Sequence, residues 1–327
     1  MKSFLFVNET FNKKIINKSN FINAYNNDLC MHSYGFFILS LKCIGNVEIA
    51  MGLDEAMKKI SKNEKKYNMI FLDIKSLIFD PPDFFIKFCD YIKTEQICLC
   101  VNTDNIFSRS LDFYKLKIPN LRYIYVVNLL KDFDKYNIPQ DLKEKLRITY
   151  YGFGLLEIKY DFDLNKLINI PNNFEKENDI FFSGSISTSP NRRILLEFVE
   201  KEFKNFKKKI LINKNLANQE YIKNISSSKI NLAPSGNLNN ITYRHNEILF
   251  LNSFLLTEYI FAEFKISENF SNLDSFCYKT LEDFKNLTYF YLNFEDEREK
   301  VSKLLSKEFM TFYSPKKFSE KLSQDLL

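Results

Sequence analysis

The sequence predicts a doubly wound α/β protein with two consecutive halves. Short apolar runs of strand length alternate with helical stretches along most of the chain. This alternation stops near residue 157 and restarts near residue 178. A length of 327 residues is enough for two domains, each with its own core. We therefore predict two Rossmann-like domains facing across a cleft: an acceptor-side domain at 1–160, and a nucleotide-sugar-binding domain at 175–327 that carries the terminal helices.

Strand-length apolar runs and helical stretches follow one another through the first half. The predicted strands are residues 3–8, 67–74, 96–102, 120–128 and 147–154. Helical spacing covers residues 36–45 and 53–65, and Pro82 opens a further helix at a position that favours proline. The run at 67–74 is apolar throughout, which is typical of a strand covered on both faces.

The same alternation fills the second half after a polar stretch at 157–178, which we predict to be a linker. Predicted strands are residues 178–184, 208–213, 229–233 and 254–258, and predicted helices are 190–203, 217–228 and 242–253. The tail from Thr280 to Leu327 has the spacing of two or three amphipathic helices.

Composition excludes several classes of protein. No apolar run is long enough to span a bilayer, and the first residues lack the features of a signal peptide, so we expect a cytoplasmic protein. Two histidines are too few for a zinc constellation with the six cysteines. The net charge of +5 is too evenly spread to indicate nucleic-acid binding. The basic stretch 201–209 is typical of a solvated surface, although basic residues are attracted to anionic lipid, which leaves peripheral association with the inner membrane open.

A turn of small residues, Gly184-Ser185, ends the first strand of the second half. A helix led by Pro190 and carrying Arg192 follows it. Backbone N–H groups at the start of such a helix suit a phosphate or another anion. An ordinary strand-to-helix turn is the alternative interpretation.

A second turn, Pro234-Ser235-Gly236, ends a later buried strand and leads to a helix that starts near Thr242. On that helix Arg244 and Glu247 are three residues apart and share a face. Arg244 is suited to a diphosphate, and Glu247 is suited to the vicinal hydroxyls of a ribose. An intrahelical Arg–Glu ion pair is the alternative.

These motifs, in this order, resemble glycosyltransferases of the two-Rossmann class called GT-B, especially the CgeB-like branch of the group 1 families. The likeness is carried by FFSGS, YIKNISSSKINLAPSG, the R-x-x-E helix of TYRHNEILFLNSFLLTE, and the tail CYKTLEDFKNLTYFYLNFEDEREKVSKLL. A looser likeness to exostosin-type transferases covers SKINLAPSG through RHNE. The resemblance implies that the donor is bound by Gly184, Ser185, Arg192, Pro234, Ser235, Gly236, Tyr243, Arg244 and Glu247.

The resemblance also implies a mechanism in which helix termini and arginine stabilise the leaving diphosphate, with no cofactor and no metal. Two D-x-D patterns, Asp132-Phe133-Asp134 and Asp161-Phe162-Asp163, are the alternative for a metal, but two carboxylates alone make a sparse site. A base that activates the acceptor would come from the first half, where His32 and Asp104 are the candidates.

The sequence therefore predicts a glycosyltransferase that moves a sugar from a nucleotide-sugar donor to a bacterial surface glycan, of capsule or lipooligosaccharide type, or to a lipid-linked glycan. One alternative is a degenerate transferase that acts as a binding or scaffold subunit. Another is a different nucleotide-using enzyme, such as an epimerase or dehydrogenase, although the first strand lacks the G-x-G-x-x-G turn that holds a dinucleotide.

Overall fold

The computed structural model of the protein describes residues 2–7, 33–62, 67–73, 82–92, 97–102, 120–126, 139–149, 174–186, 189–212, 216, 218–236, 241–259 and 273–326. They form two compact units. The first contains the described residues up to 149 together with 315–326, and the second contains residues 174–314. The predicted linker lies almost entirely outside the described residues.

A parallel sheet forms the centre of the first unit. Its described strands are β1 (Lys2–Val7), β2 (Gly45–Ala50), β3 (Met69–Asp73), β4 (Ile97–Asn102), β5 (Leu121–Val126) and β6 (Leu146–Ile148), in the order β2-β1-β3-β4-β5-β6. The helices described between them are α1 (Ser33–Lys42), α2 (Gly52–Lys62), α3 (Pro82–Tyr91) and α4 (Gln140–Lys143).

Both faces of this sheet are covered. On β1, Leu5 and Val7 belong to one buried apolar cluster, and Phe4 and Phe6 belong to another. Strand β3 divides its side chains between the same two clusters. Covered faces explain why both strands have apolar residues at consecutive positions, 4–7 in β1 and 69–72 in β3, rather than at alternate ones.

The edge strand β2 was not predicted. The sequence predicts helical spacing at 36–45 and again at 53–65, with no element between them, but α1 ends at Lys42 and β2 begins three residues later. Glu48 is exposed in the middle of β2 and Ala50 is buried at its end. An edge strand with polar positions lacks the continuous apolar run by which the central strands were recognised.

The second unit has a parallel sheet in the order β11-β10-β9-β7-β8. Its elements in chain order are β7 (Asn178–Gly184), α5 (Pro190–Glu202), β8 (Lys208–Ile212), α6 (Asn218–Ser226), β9 (Ser228–Ala233), α7 (Tyr243–Phe250), β10 (Leu255–Glu258), β11 (Cys277–Tyr278), α8 (Leu281–Asn293) and α9 (Glu295–Phe312). The α/β class with two parallel sheets and terminal helices is thereby confirmed.

The last helix, α10 (Pro315–Leu326), belongs to the first unit. The second domain was expected to extend to residue 327, and the structure differs there because of the apolar face of α10. Phe318, Leu322 and Leu326 are buried in the cluster that contains Phe4, and Phe318 lies 5.3 Å from Phe36 between ring centroids. None of the helices in the described ranges is long and apolar enough to cross a membrane.

Candidate functional site

The two predicted turns lie side by side at the carboxyl edge of the second sheet. Strand β7 pairs with β8 on one side and with β9 on the other, so the chain reverses its direction of winding between β7 and β9. Open α/β sheets bind ligands in the crevice at such a switch point. Gly184 ends β7, and Pro234-Ser235-Gly236 follows β9, so both turns border this crevice.

Gly184 and Arg244 are in direct contact. The Arg244 guanidinium donates from Nη2 to the carbonyl of Ser183, and its Cζ lies 4.8 Å from the centroid of the Phe182 ring. A Cβ at Gly184 would overlap the Arg244 guanidinium and lie 3.3 Å from Cζ of Phe182. Glycine at this position therefore leaves free the space that the Arg244 guanidinium occupies beside the turn after β7.

The remaining donors of Arg244 are not used by the described part of the protein. Its Nε and Nη1 are buried and have no hydrogen-bond partner within the described part of the chain. Buried donors without a partner are costly, and an anionic group that accepts from them would remove that cost. The alternative that the sequence offered, an ion pair between Arg244 and Glu247, is not formed. Arg244 donates to the Ser183 carbonyl instead, and Glu247 accepts from the Tyr221 hydroxyl.

Arg192 ties the two turns together. Its side chain is buried, and Nη1 donates to the carbonyl of Ser185 at 2.6 Å. Nη2 donates to the carbonyl of Ser235 at 2.8 Å and to that of Pro234 at 3.3 Å. Burial, with the nearby charge of Arg244, lowers the pKa of Arg192 to about 10. Because both terminal nitrogens serve backbone carbonyls, the contacts of Arg192 hold the shape of the crevice.

A carboxylate that sequence reasoning did not select lies beside the second turn. The hydroxyl of Ser235 donates to Oε2 of Glu258 at 2.5 Å, and Ser235 is fully buried. Glu258 is the last residue of β10 and so lies at the same carboxyl edge as the two turns. The signal that could have identified it is an acidic residue at the end of an otherwise apolar strand.

Glu247 is held by a residue from another helix. The hydroxyl of Tyr221 on α6 donates to Oε2 of Glu247 at 2.8 Å. Burial raises the pKa of the Glu247 carboxyl, while the Tyr221 hydrogen bond and the Arg244 charge oppose that rise. Tyr243, the first residue of α7, is only partly buried.

His245 is a neutral link between α7 and the sheet. Its Nδ1 accepts from the backbone N–H of Thr242 at 3.1 Å. The hydroxyl of Thr257 donates to the carbonyl of Ala233 at 2.7 Å, so its oxygen accepts from Nε2–H of His245, 2.8 Å away. Burial, together with the charge of Arg244, lowers the pKa of His245 to about 3. The ring therefore fixes the helix start as a neutral donor and acceptor.

We expect this histidine to make stability depend on pH. Between pH 6.5, where His245 titrates once the chain unfolds, and about 3, this side chain binds a proton in the unfolded state but not in the folded state. The contribution of His245 to stability should therefore fall as pH is lowered through this window, by about 1.4 kcal/mol per pH unit at most. Urea unfolding of wild type and of His245→Gln at several pH values tests this. Equal slopes in the two proteins would show that His245 does not titrate in this way.

No protein-family model and no curated protein matches this chain. Solved structures do. One, an alpha-glucosyltransferase in complex with UDP and a 13-mer DNA containing a HMU base, aligns over 100% of this chain and 99% of its own, with 10% identity and a TM-score of 0.55. T4 phage BGT in complex with UDP-glucose aligns over 99% of both chains, with 13% identity and a TM-score of 0.53. The chain has the GT-B fold.

A third solved structure has a similar fold. Sucrose-phosphate synthase from Thermosynechococcus elongatus aligns over 99% of this chain and 98% of its own, with 8% identity and a TM-score of 0.53. At such low identities the likeness establishes the GT-B fold, whereas the branch within that class stays a prediction.

Several candidates of this GT-B chain lie outside the described residues. They are His32, Asp104 and both D-x-D patterns. Helix α1 begins directly after His32, and Asp104 comes two residues after the end of β4. In the described ranges, no group of three or more His, Cys, Asp or Glu residues could hold a metal ion.

Proposed function

We propose that this chain is a glycosyltransferase that takes its sugar from a nucleoside-diphosphate sugar bound by the second unit. The observation that carries this proposal is the contact of Arg244 with the Gly184 turn, which leaves buried guanidinium donors at the switch point of the sheet. Solved GT-B structures with similar folds were determined with UDP or UDP-glucose bound, which supports a nucleotide-sugar donor.

The chemistry requires a group that stabilises the departing diphosphate. In transfer, the bond between the anomeric carbon and the phosphate oxygen breaks, and the nucleoside diphosphate leaves with the electron pair. The acceptor oxygen bonds to the sugar and loses its proton to a base. Arg244 and the N–H groups at the starts of α5 and α7 can interact with the negative charge that develops on the leaving group. Arg192 keeps the turns before these helices in place.

In this proposal, Glu247 binds the ribose of the donor. We expect Glu247→Ala to weaken nucleoside-diphosphate binding about tenfold, because the vicinal hydroxyls lose a charged hydrogen-bond acceptor. Titration calorimetry with UDP and GDP measures the change, with Glu197→Ala on the exposed face of α5 as the matched control. Equal affinity in wild type and Glu247→Ala would remove Glu247 from the ribose site.

The acceptor we propose is a hydroxyl of a bacterial surface glycan, of capsule or lipooligosaccharide type, or of a lipid-linked glycan. This rests on the sequence likeness to CgeB-like transferases. The fold is also that of enzymes described with DNA, including the DNA-modifying beta-glucosyltransferase. Acceptor assays therefore need three arms: glycan, lipid-linked glycan and DNA. Transfer to DNA alone would overturn the glycan assignment and leave the donor site in place.

We further propose that transfer needs neither a metal nor a cofactor, with the guanidinium of Arg244 as the cation that faces the diphosphate. A thermal-shift screen against UDP, GDP, dTDP, ADP, CMP and their sugar conjugates, with Mg²⁺ or with EDTA, tests the function. A ligand at about a hundred times its Kd stabilises a protein by about 2.7 kcal/mol. Release of nucleotide from the stabilising conjugate then separates a transferase from a scaffold. A folded protein that binds none of the panel would contradict the proposal.

A further inference from the structure

Tyr221 connects α6 to the ribose side of the proposed donor site. Its hydroxyl lies 2.8 Å from Oε2 of Glu247, which is 26 positions away in the chain. Its ring packs at 6.1 Å from that of Phe181 on β7, between ring centroids. The hydroxyl is therefore held in place from the sheet side. Within the described part of the chain, the other carboxylate oxygen of Glu247 has no hydrogen-bond partner.

This inference rests on the proposed function and deepens it. We propose that Tyr221 is a positioning residue: by binding one oxygen of Glu247, it turns the other toward the vicinal hydroxyls of the nucleoside, so that the site selects ribonucleoside over 2′-deoxyribonucleoside diphosphates. A carboxylate that accepts from two neighbouring hydroxyls must be both oriented and ionised. A 2′-deoxyribose offers only one of those hydroxyls and leaves an acceptor unsatisfied, which is costly in a buried site.

The Tyr221 hydroxyl affects the ionisation of the Glu247 carboxyl as well as its orientation. Burial raises the pKa of Glu247 above its usual 4.5, and Tyr221 and Arg244 act against the rise. On β9, β10 and the buried face of α9, which pack against α7, the charged side chains have other partners: Lys229 binds Asp179, Glu258 binds Ser235, and Arg298 binds the Tyr291 carbonyl and Glu295. His245, on α7 itself, is neutral.

Removing the hydroxyl therefore has a predictable sign. Tyr221→Phe takes away a hydrogen bond to the ionised carboxylate, so the pKa of Glu247 rises further and the carboxyl binds a proton at higher pH than in wild type. A protonated carboxyl accepts poorly from ribose hydroxyls. The loss of affinity in the variant should be large at low pH and shrink as pH rises.

Titration calorimetry of UDP and 2′-deoxy-UDP between about pH 5.5 and about pH 8.5 tests the proposal. If the nucleotide panel selects another base, the matching pair of ribonucleoside and 2′-deoxyribonucleoside diphosphates replaces these probes. Wild type should bind UDP about tenfold more tightly than 2′-deoxy-UDP. Tyr221→Phe should lose about tenfold in UDP affinity at the acid end and much less at the alkaline end, while its affinity for 2′-deoxy-UDP changes little.

Tyr289→Phe is the matched control, because Tyr289 also donates to a glutamate of the second unit, Glu202, at 3.5 Å, away from the turns. The proposal is overturned if Tyr221→Phe weakens both nucleotides equally at every pH, or behaves like Tyr289→Phe. If Tyr221→Phe does not fold, the affinities of the wild-type protein for UDP and 2′-deoxy-UDP test the proposal. Equal affinity for the two nucleotides overturns it. Absence of nucleotide binding in wild type would instead overturn the proposed function itself.

Discussion

Replacing Arg244 by alanine is expected to lower kcat/KM for the donor by about a hundredfold, the usual cost of removing one donor that stabilises transition-state charge. A loss of at least tenfold, about 1.4 kcal/mol, is the minimum consistent with the proposed role. The physical reason is that Arg244 presents Nε and Nη1 without protein partners beside the Gly184 turn. Donor turnover, measured as nucleotide release, provides the rate.

The matched control for this experiment is Arg193→Ala. Arg193 also lies on a helix that follows one of the turns, but its side chain is exposed. It should keep near wild-type kinetics, because exposed cations contribute little. Arg244→Lys should recover only part of the activity, since an ammonium keeps the charge but loses the planar pair of donors. Unchanged kinetics in a folded Arg244→Ala protein would remove Arg244 from the site.

Among the substitutions proposed for this protein, Phe318→Ala is expected to lower stability most. It should reduce the free energy of unfolding of the first unit by about 3–5 kcal/mol. Phe318 is buried, and its ring centroid lies 5.3 Å from that of Phe36 and 5.8 Å from that of Phe37. Truncation would leave a cavity among aromatic side chains that α10 now fills. Urea unfolding followed by a probe in the first unit measures the loss.

An exposed apolar side chain of the same unit provides the control for Phe318. Ile86 on α3 is 58% exposed, so Ile86→Ala should change the free energy of unfolding by less than about 0.5 kcal/mol. If Phe318→Ala costs no more than Ile86→Ala, helix α10 does not complete the core of the first unit.

The fold was predictable wherever a strand is covered on both faces. Strands β3 and β7 are apolar at successive positions because side chains on both faces are buried, and a short apolar run is visible in the sequence. Strands β2 and β11 were missed. The first has polar residues at exposed positions, and the second is two residues long, too short for any periodic signal.

The end of the second domain could not be read from local pattern. Helix α10 is amphipathic, as are the two helices before it. Its position follows from tertiary contacts, such as the hydrogen bond of 3.1 Å from the Tyr125 hydroxyl to Asp325. The local sequence around residue 315 does not indicate that α10 packs against the first unit rather than the second.

The placement of the candidate site residues was predictable in outline, because strand ends and helix starts bring Gly184, Ser235, Arg244 and Glu247 to one edge of one sheet. Contacts between residues that are far apart in the sequence were not predictable. The contact of Arg192 with Pro234 and Ser235 depends on how two turns meet, and spacing within one segment contains no such information. Tyr221 was missed for the same reason, since its helix shows only an ordinary amphipathic pattern.

The central claim is that the two turns of the second unit form the donor site. Hydrogen exchange of the full chain, measured by mass spectrometry with and without the nucleoside diphosphate that stabilises it, tests this most directly. With the nucleotide bound, we predict slower amide exchange in peptides that cover 184–193 and 234–247. Exchange in peptides from β8 and α8 should change much less. Protection confined to the first unit, with no change around Gly184 and Arg244, would contradict the account.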